Sequence, residues 1–190
     1  MNASSPIPGL TPHRITLEEL FAFQRSGAFD RLPRMELLDG TLYEMSPQTS
    51  AHVRVKNRIM FRLQACLEEL ANGMEAFCEP TIIVSDASAP EPDVAICDSP
   101  QIDGYFPAST IRLAVEVAVT SLQTDLEYKK SLYAAAAIAE YWVVDVTGEQ
   151  IHQFWEPAEQ TYGQSRILPL GARIVMVTLD EVSIDSTGFV

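Results

Sequence analysis

The segment Leu113-Ala114-Val115-Glu116-Val117-Ala118-Val119 constrains the fold more than any other stretch of the chain. A run this apolar fits a strand buried on both faces, and such strands belong to sheets covered by helices on both sides. Glu116 stands in the middle of it. An ionised carboxylate inside an apolar strand costs several kcal/mol unless a metal ion, a cation or a hydrogen-bond network pairs with it. The segment therefore predicts a covered sheet and a charged partner for Glu116.

The remaining elements follow from local chemistry. Thr16-Leu17-Glu18-Glu19 has the capping-box pattern ahead of Leu20, Phe21 and Phe23, and predicts a short helix. Asp39-Gly40, flanked by Met35–Leu38 and Thr41–Met45, predicts a β-hairpin carrying Glu36 and Glu44 on its two strands. After Ser46-Pro47, apolar residues at Val53, Ile59, Leu63, Leu67 and Leu70 recur at helical spacing, with Asn72-Gly73 as the expected stop; this is a helix of about 20 residues. Strands are expected over Ala76–Ser85, Asp93–Cys97, the Glu116 segment and Tyr141–Val146, with an alanine-rich helix from Thr124 to Ala139 and further strands at Gln150–Trp155 and Arg173–Leu179. The fold class is α/β, a mixed central sheet flanked by helices with an N-terminal β-hairpin. Residues 1–12, rich in Pro, Gly and Ser, read as a flexible arm, and 13–190 as one domain that buries about 70 % of its unfolded surface.

Composition narrows the function. The chain carries 26 Asp and Glu against 13 Lys and Arg, a formal net charge of −13, so its long-range field repels a polyanion. A bound divalent cation inverts that charge locally, which keeps a nucleic-acid site open. No apolar run is long enough to span a bilayer and Met1–Leu10 lacks a signal-peptide pattern, so no membrane is expected and the reading is cytoplasmic. Cys66, Cys78 and Cys97 are widely spaced and odd in number; they read as buried thiols rather than as a disulfide or zinc framework.

Asp93 follows Pro90-Glu91-Pro92 at the start of the strand expected beside the Glu116 strand. Carboxylates from two adjacent strand ends, completed by water and phosphate oxygens, are a usual way of holding Mg²⁺. Asp after proline is also ordinary turn chemistry. Lys129 shares a helix face with Asp125 and Tyr133, which suits either a surface ion pair or a lysine that approaches the carboxylates and stabilises phosphate charge. Tyr141 and Trp142 read as sheet core rather than as a base-stacking platform.

Glu36-Leu37-Leu38-Asp39-Gly40, Glu44-Met45-Ser46-Pro47, His52, Pro92-Asp93-Val94, Val115-Glu116-Val117, Asp125…Lys129…Tyr133 and Glu140-Tyr141-Trp142-Val143-Val144-Asp145 appear in an order that resembles the Uma2 family of endonucleases, in the PD-(D/E)XK superfamily. The resemblance spans about residues 16 to 180. It implies a restriction-endonuclease-like fold, Asp93 and Glu116 as ligands of a divalent metal, and Lys129 in place of the superfamily lysine that would otherwise stand at Ala118. Glu44 and His52 match family positions beside the site. Read from the residues alone, Glu44 is equally an exposed hairpin glutamate, and His52 equally a polar residue at a helix start. Two positions depart from the family pattern. Val119-Thr120-Ser121 is one residue shorter than the usual Ser-Pro-Ser-Thr, and Ala137 stands where the family usually has Gly.

The expectation is therefore an endonuclease dependent on Mg²⁺, with Mn²⁺ as the alternative metal, acting on DNA. The second expectation is a nuclease-fold binding or assembly module with little or no catalysis, which the acidic composition favours. A chain of this size is compatible with a two-fold homodimer.

Overall fold

The computed structural model describes residues 8–29, 34–98 and 104–189. Most of the expected N-terminal arm, residues 1–7, lies outside the described residues; 8–12 carry no helix or strand. The described residues fall into two compact units, one made of residues up to Met45 with Ser85–Ala89, the other of Ser46–Val84 with the chain from Pro90 onward.

In the smaller unit, α1 (Leu17–Arg25) starts at the Thr16 capping box, where Glu19 N–H donates to the Thr16 hydroxyl and the Glu19 carboxylate receives Thr16 N–H. Strands β1 (Met35–Leu38) and β2 (Thr41–Glu44) pair antiparallel around Asp39 and Gly40, both at positive φ (49° and 73°), the two-residue turn that matches strand twist. Gly40 is required there twice over, since a Cβ would also lie 2.6 Å from the Arg14 Cβ. Leu20, Leu37 and Ala89 form the core of this unit.

The larger unit is built on a six-stranded sheet of order β10-β9-β8-β7-β5-β3. Its members are β3 (Glu75–Cys78), β5 (Val94–Cys97), β7 (Ile111–Ala118), β8 (Glu140–Asp145), β9 (Gln150–Ala158) and β10 (Thr161–Pro169). Within this sheet β7 and β8 pair in parallel and the other described neighbours antiparallel, and the chain between β7 and β8 is helical, as a parallel crossover requires. Side chains alternate across β7. Leu113, Val115 and Val117 pack with Val55, Ile59, Leu63 and Leu67 of the long helix α2 (Ser50–Leu70). Ala114 and Ala118 pack on the other face with Tyr133 and Ala134 of the crossover. Glu116 has the parity of the two alanines, so it belongs to the crossover face. Tyr141 and Trp142 are fully buried, as sheet core.

Several boundaries differ from the sequence expectation. The strand expected over Ala76–Ser85 is interrupted at Glu79-Pro80, where Glu79 takes φ 51°, leaving β3 and a two-residue β4 (Ile82–Ile83) that pairs with β6 (Phe106–Pro107). Helix α2 ends on a left-handed Ala71, before Gly73. The strand expected over Arg173–Leu179 keeps only β11 (Arg173–Val175), paired with β12 (Ser183–Asp185). Strands β10 and β12 were not anticipated, because their faces are largely exposed or very short and carry no apolar period. Among the thiols, Cys97 is buried as expected, whereas Cys78 is exposed and Cys66 partly so, both lying near element ends. Among the described residues, no helix is long and apolar enough to cross a membrane.

Candidate active site

The crossover that follows β7 sets the site. It opens with α3 (Leu122–Thr124), widens through a π-helical turn at Asp125–Lys129, and continues as α4 (Lys130–Ala135). In that turn Lys130 N–H reaches the Asp125 carbonyl, five residues back. Such widened turns are rare and recur at functional sites. Here the turn leaves Asp125 and Lys129 both buried, 2 % and 7 % exposed, with Tyr133 wholly buried one turn later.

Lys129 Nζ donates to Glu116 Oε1 at 3.0 Å, and the Tyr133 hydroxyl donates to the same oxygen at 2.9 Å. Glu116 itself is 5 % exposed. The charge that the strand pattern required is therefore supplied by the helix after β7, and the surface-pair reading of Lys129 does not apply. Asp125 accepts from the Ser121 hydroxyl at 2.6 Å, and its carbonyl accepts from the Tyr141 hydroxyl at 3.1 Å. Burial first, then the carboxylates of Glu116 and Asp125 and more weakly that of Asp93, holds the Tyr141 hydroxyl well above its ordinary range, so it remains a proton donor.

Asp93 immediately precedes β5. The antiparallel register pairs Val94 with Val115, and one further step along it sets Asp93 beside Glu116. Asp93 Oδ2 accepts from Val117 N–H at 2.7 Å and contacts His52 Nε2 at 3.1 Å, while its carbonyl accepts from Glu79 N–H. Asp93 is thus a strand-edge carboxylate fixed from both of its ends, and 7 % exposed. His52 belongs to the first turn of α2, after the Thr49 cap, so the helix-start reading and the site-adjacent reading both describe it.

One helical turn beyond His52, Lys56 Nζ donates to Glu79 Oε1 at 2.6 Å and to Gln48 Oε1 at 2.7 Å. Sequence reading passed over this lysine. The available signal was its position four residues after His52, on the same helix face. The structure thus places Asp93, Glu116, Lys129 and His52 in the larger unit, in two bonded pairs joined by the β5–β7 register. Glu44 lies in the smaller unit, exposed at the end of β2 opposite Met35.

The donor set suits a hard divalent cation. Both carboxylates offer oxygen, and with Asp93 Oδ2 engaged by Val117 N–H and His52, Oδ1 is the oxygen left to act as a ligand. His52 Nδ1 is buried without a hydrogen-bond partner, an orphaned polar atom that a water beside a cation would satisfy. Among the described residues no group of three or more His, Cys, Asp and Glu side chains is arranged to hold a metal alone. Mg²⁺ takes one or two carboxylates and keeps several waters, so the two carboxylates would be enough to hold it.

A family model, Uma2, described as "Putative restriction endonuclease", matches residues 17–186. Among solved structures, one described as "a putative nuclease belonging to DUF820 from Anabaena variabilis ATCC 29413" superposes with a TM-score of 0.70 over 92 % of this chain and 97 % of that chain, at 14 % identity. At that identity the likeness establishes the fold, a mixed α/β sheet of nuclease type. No curated protein matches the chain.

Proposed function

We propose that this chain, which belongs to the Uma2 family, is a divalent-cation-dependent endonuclease that hydrolyses phosphodiester bonds in DNA. The observation that carries this reading is the buried Glu116–Lys129 pair in register with Asp93, two carboxylates and an ammonium gathered at one end of adjacent strands.

Asp93 and Glu116 would hold the cation. Bound there, Mg²⁺ or Mn²⁺ supplies Lewis-acid polarisation of a phosphoryl oxygen and lowers the pKa of water. The chain's own residues do the rest. Val117 N–H and His52 fix the Asp93 carboxylate, and Tyr133 fixes that of Glu116, so neither needs to reorganise when substrate arrives. Lys129, held at Glu116, supplies a positive charge to oxygens that become more negative in the transition state.

Calorimetric titration of Mg²⁺ and Mn²⁺ into the wild type, Asp93→Ala and Glu116→Ala, followed by plasmid nicking with each protein, tests the reading. Loss of both binding and nicking in the two variants is the expected result. Binding unchanged by either substitution removes the site. Cation binding without nicking favours the second reading, a nuclease-fold binding module, for which the specific support is the net charge of −13.

A further inference from the structure

Asp93 is held by three hydrogen bonds, and one of them leads away from the carboxylate into a separate, partly buried network. The Asp93 carbonyl accepts from Glu79 N–H at 3.1 Å. Glu79 is a non-glycine residue at φ 51°, a left-handed conformation that is strained for a residue with a Cβ. Backbone in such regions persists only where the surroundings over-determine it, and it gathers at functional sites. Here the surroundings are Lys56 and Gln48, whose Nζ and Nε2 both donate to Glu79 Oε1, at 2.6 and 2.5 Å. Lys56 is only 7 % exposed, so its ammonium has little water and depends on these acceptors.

The sequence between these groups gives the network its direction. His52 and Lys56 are four apart on α2 and face the same way. His52 reaches the Asp93 carboxylate directly, and Lys56 reaches the Asp93 backbone through Glu79. The neighbouring Cys78 thiol senses the same cluster. Partial enclosure of its sulfur raises its pKa most, Lys56 lowers it, and Glu79 and Asp93 raise it.

We infer that Lys56 is a positioning residue for Asp93, acting through Glu79 to fix the strand-edge backbone from which the carboxylate projects. This rests on the reading of Asp93 as a cation ligand. Partners one step removed from metal ligands typically change affinity by about 10–100-fold when lost. The sign is diagnostic. If Lys56 were no more than a neighbouring charge, its removal would tighten cation binding, because a nearby ammonium repels a cation. Positioning predicts the opposite.

Mn²⁺ titrated calorimetrically into the wild type, Lys56→Met, Lys56→Arg, Gln48→Ala and Asp93→Ala, with a melting curve for each, tests the inference. Lys56→Met is expected to weaken Mn²⁺ binding about tenfold. Gln48→Ala, at an exposed side chain, should move affinity the same way by a smaller factor, and Lys56→Arg should keep most of it by retaining the Glu79 pair. Unchanged or tighter binding in folded Lys56→Met overturns the role. Should that variant not fold, unchanged or tighter binding in Gln48→Ala does the same. Persistent binding in Asp93→Ala removes the cation site and the positioning role with it. Loss in Asp93→Ala alongside wild-type affinity in Lys56→Met removes the positioning role alone.

Discussion

Glu116 Oε1 accepts from two buried donors, Lys129 and Tyr133, so the residue that looks most misplaced in the apolar strand is among the most tightly held. A buried ion pair of this kind contributes little net stability compared with apolar residues of the same shape, yet removing one partner strands the other. Lys129→Met should therefore destabilise the larger unit by about 3–5 kcal/mol in urea unfolding. Adding Glu116→Gln to it should recover part of that loss, giving a coupling energy of at least about 1 kcal/mol in the double-mutant cycle. Additive losses would mean that the pair is not an energetic unit. The same coupling explains why an otherwise adverse glutamate was a usable signal in the sequence. Its burial demanded a partner, and the helix following β7 was the nearest element able to supply one.

Among the elements, the crossover between β7 and β8 is one in which local preference and final structure disagree. Ala137 takes φ 56°, the left-handed region, at the position where the family pattern usually has glycine. A Cβ there carries about 1–2 kcal/mol of strain, and glycine gives part of it back through its greater freedom in the unfolded chain. Ala137→Gly should thus raise stability by about 0.5–1 kcal/mol in chemical denaturation; a loss would show that the strain is not borne at this residue. The alanine run also accounts for the misplaced helix end. Its propensity favours continuing to Ala139, but the chain turns at Ala137 to enter β8.

Elsewhere the elements were legible where chemistry is local. The Thr16–Glu19 cap, the Asp39-Gly40 turn, α2 and the apolar strands all declare themselves within a few residues. The interruption at Glu79, the widened turn at Asp125–Lys129 and the edge strand β10 depend on distant partners, and no short window contains them. In the site, Glu116 was readable from its apolar strand, whereas spacing alone left Lys129 equally a surface pair and Asp93 equally a turn residue, and the family resemblance singled them out. Lys56 and Glu79 were not readable, because a helix lysine and a post-strand glutamate ordinarily face solvent.

Glu140 opens β8 and is wholly buried, but it does different work. Its Oε2 accepts from Val177 N–H, Thr178 N–H and the Thr178 hydroxyl, and its Oε1 from Trp142 Nε1 and the Gln153 amide. It ties the sheet to the loop after β11, so the Glu-Tyr-Trp segment of the family pattern carries architecture rather than chemistry. Glu140→Ala leaves several buried donors without an acceptor and should cost more than about 3 kcal/mol, seen as a lowered urea midpoint with Mn²⁺ affinity retained in the protein that remains folded.

For the whole molecule, charge sets the conditions of function. With 26 acidic and 13 basic side chains, the chain's long-range field opposes a polyanion, so the proposed DNA binding is expected to depend on a bound cation. Fluorescence anisotropy with a labelled duplex at low salt should show no binding in EDTA and measurable binding with Mn²⁺ or Ca²⁺. Binding of equal strength without a divalent cation would place the DNA-contacting surface away from Asp93 and Glu116.

The Asp93–Glu116 pair also lies at a seam. Helix α2 covers one face of the sheet and sends His52 to Asp93; the crossover covers the other and sends Lys129 to Glu116. Both layers must dock before the two carboxylates acquire their neighbours, so a ligand of the pair binds the folded state and not the unfolded chain. Its binding free energy is then added to that of folding, as RT ln(1 + [L]/Kd). If the pair holds the proposed cation, the melting temperature of the larger unit becomes a gauge of its occupancy, one that needs no substrate.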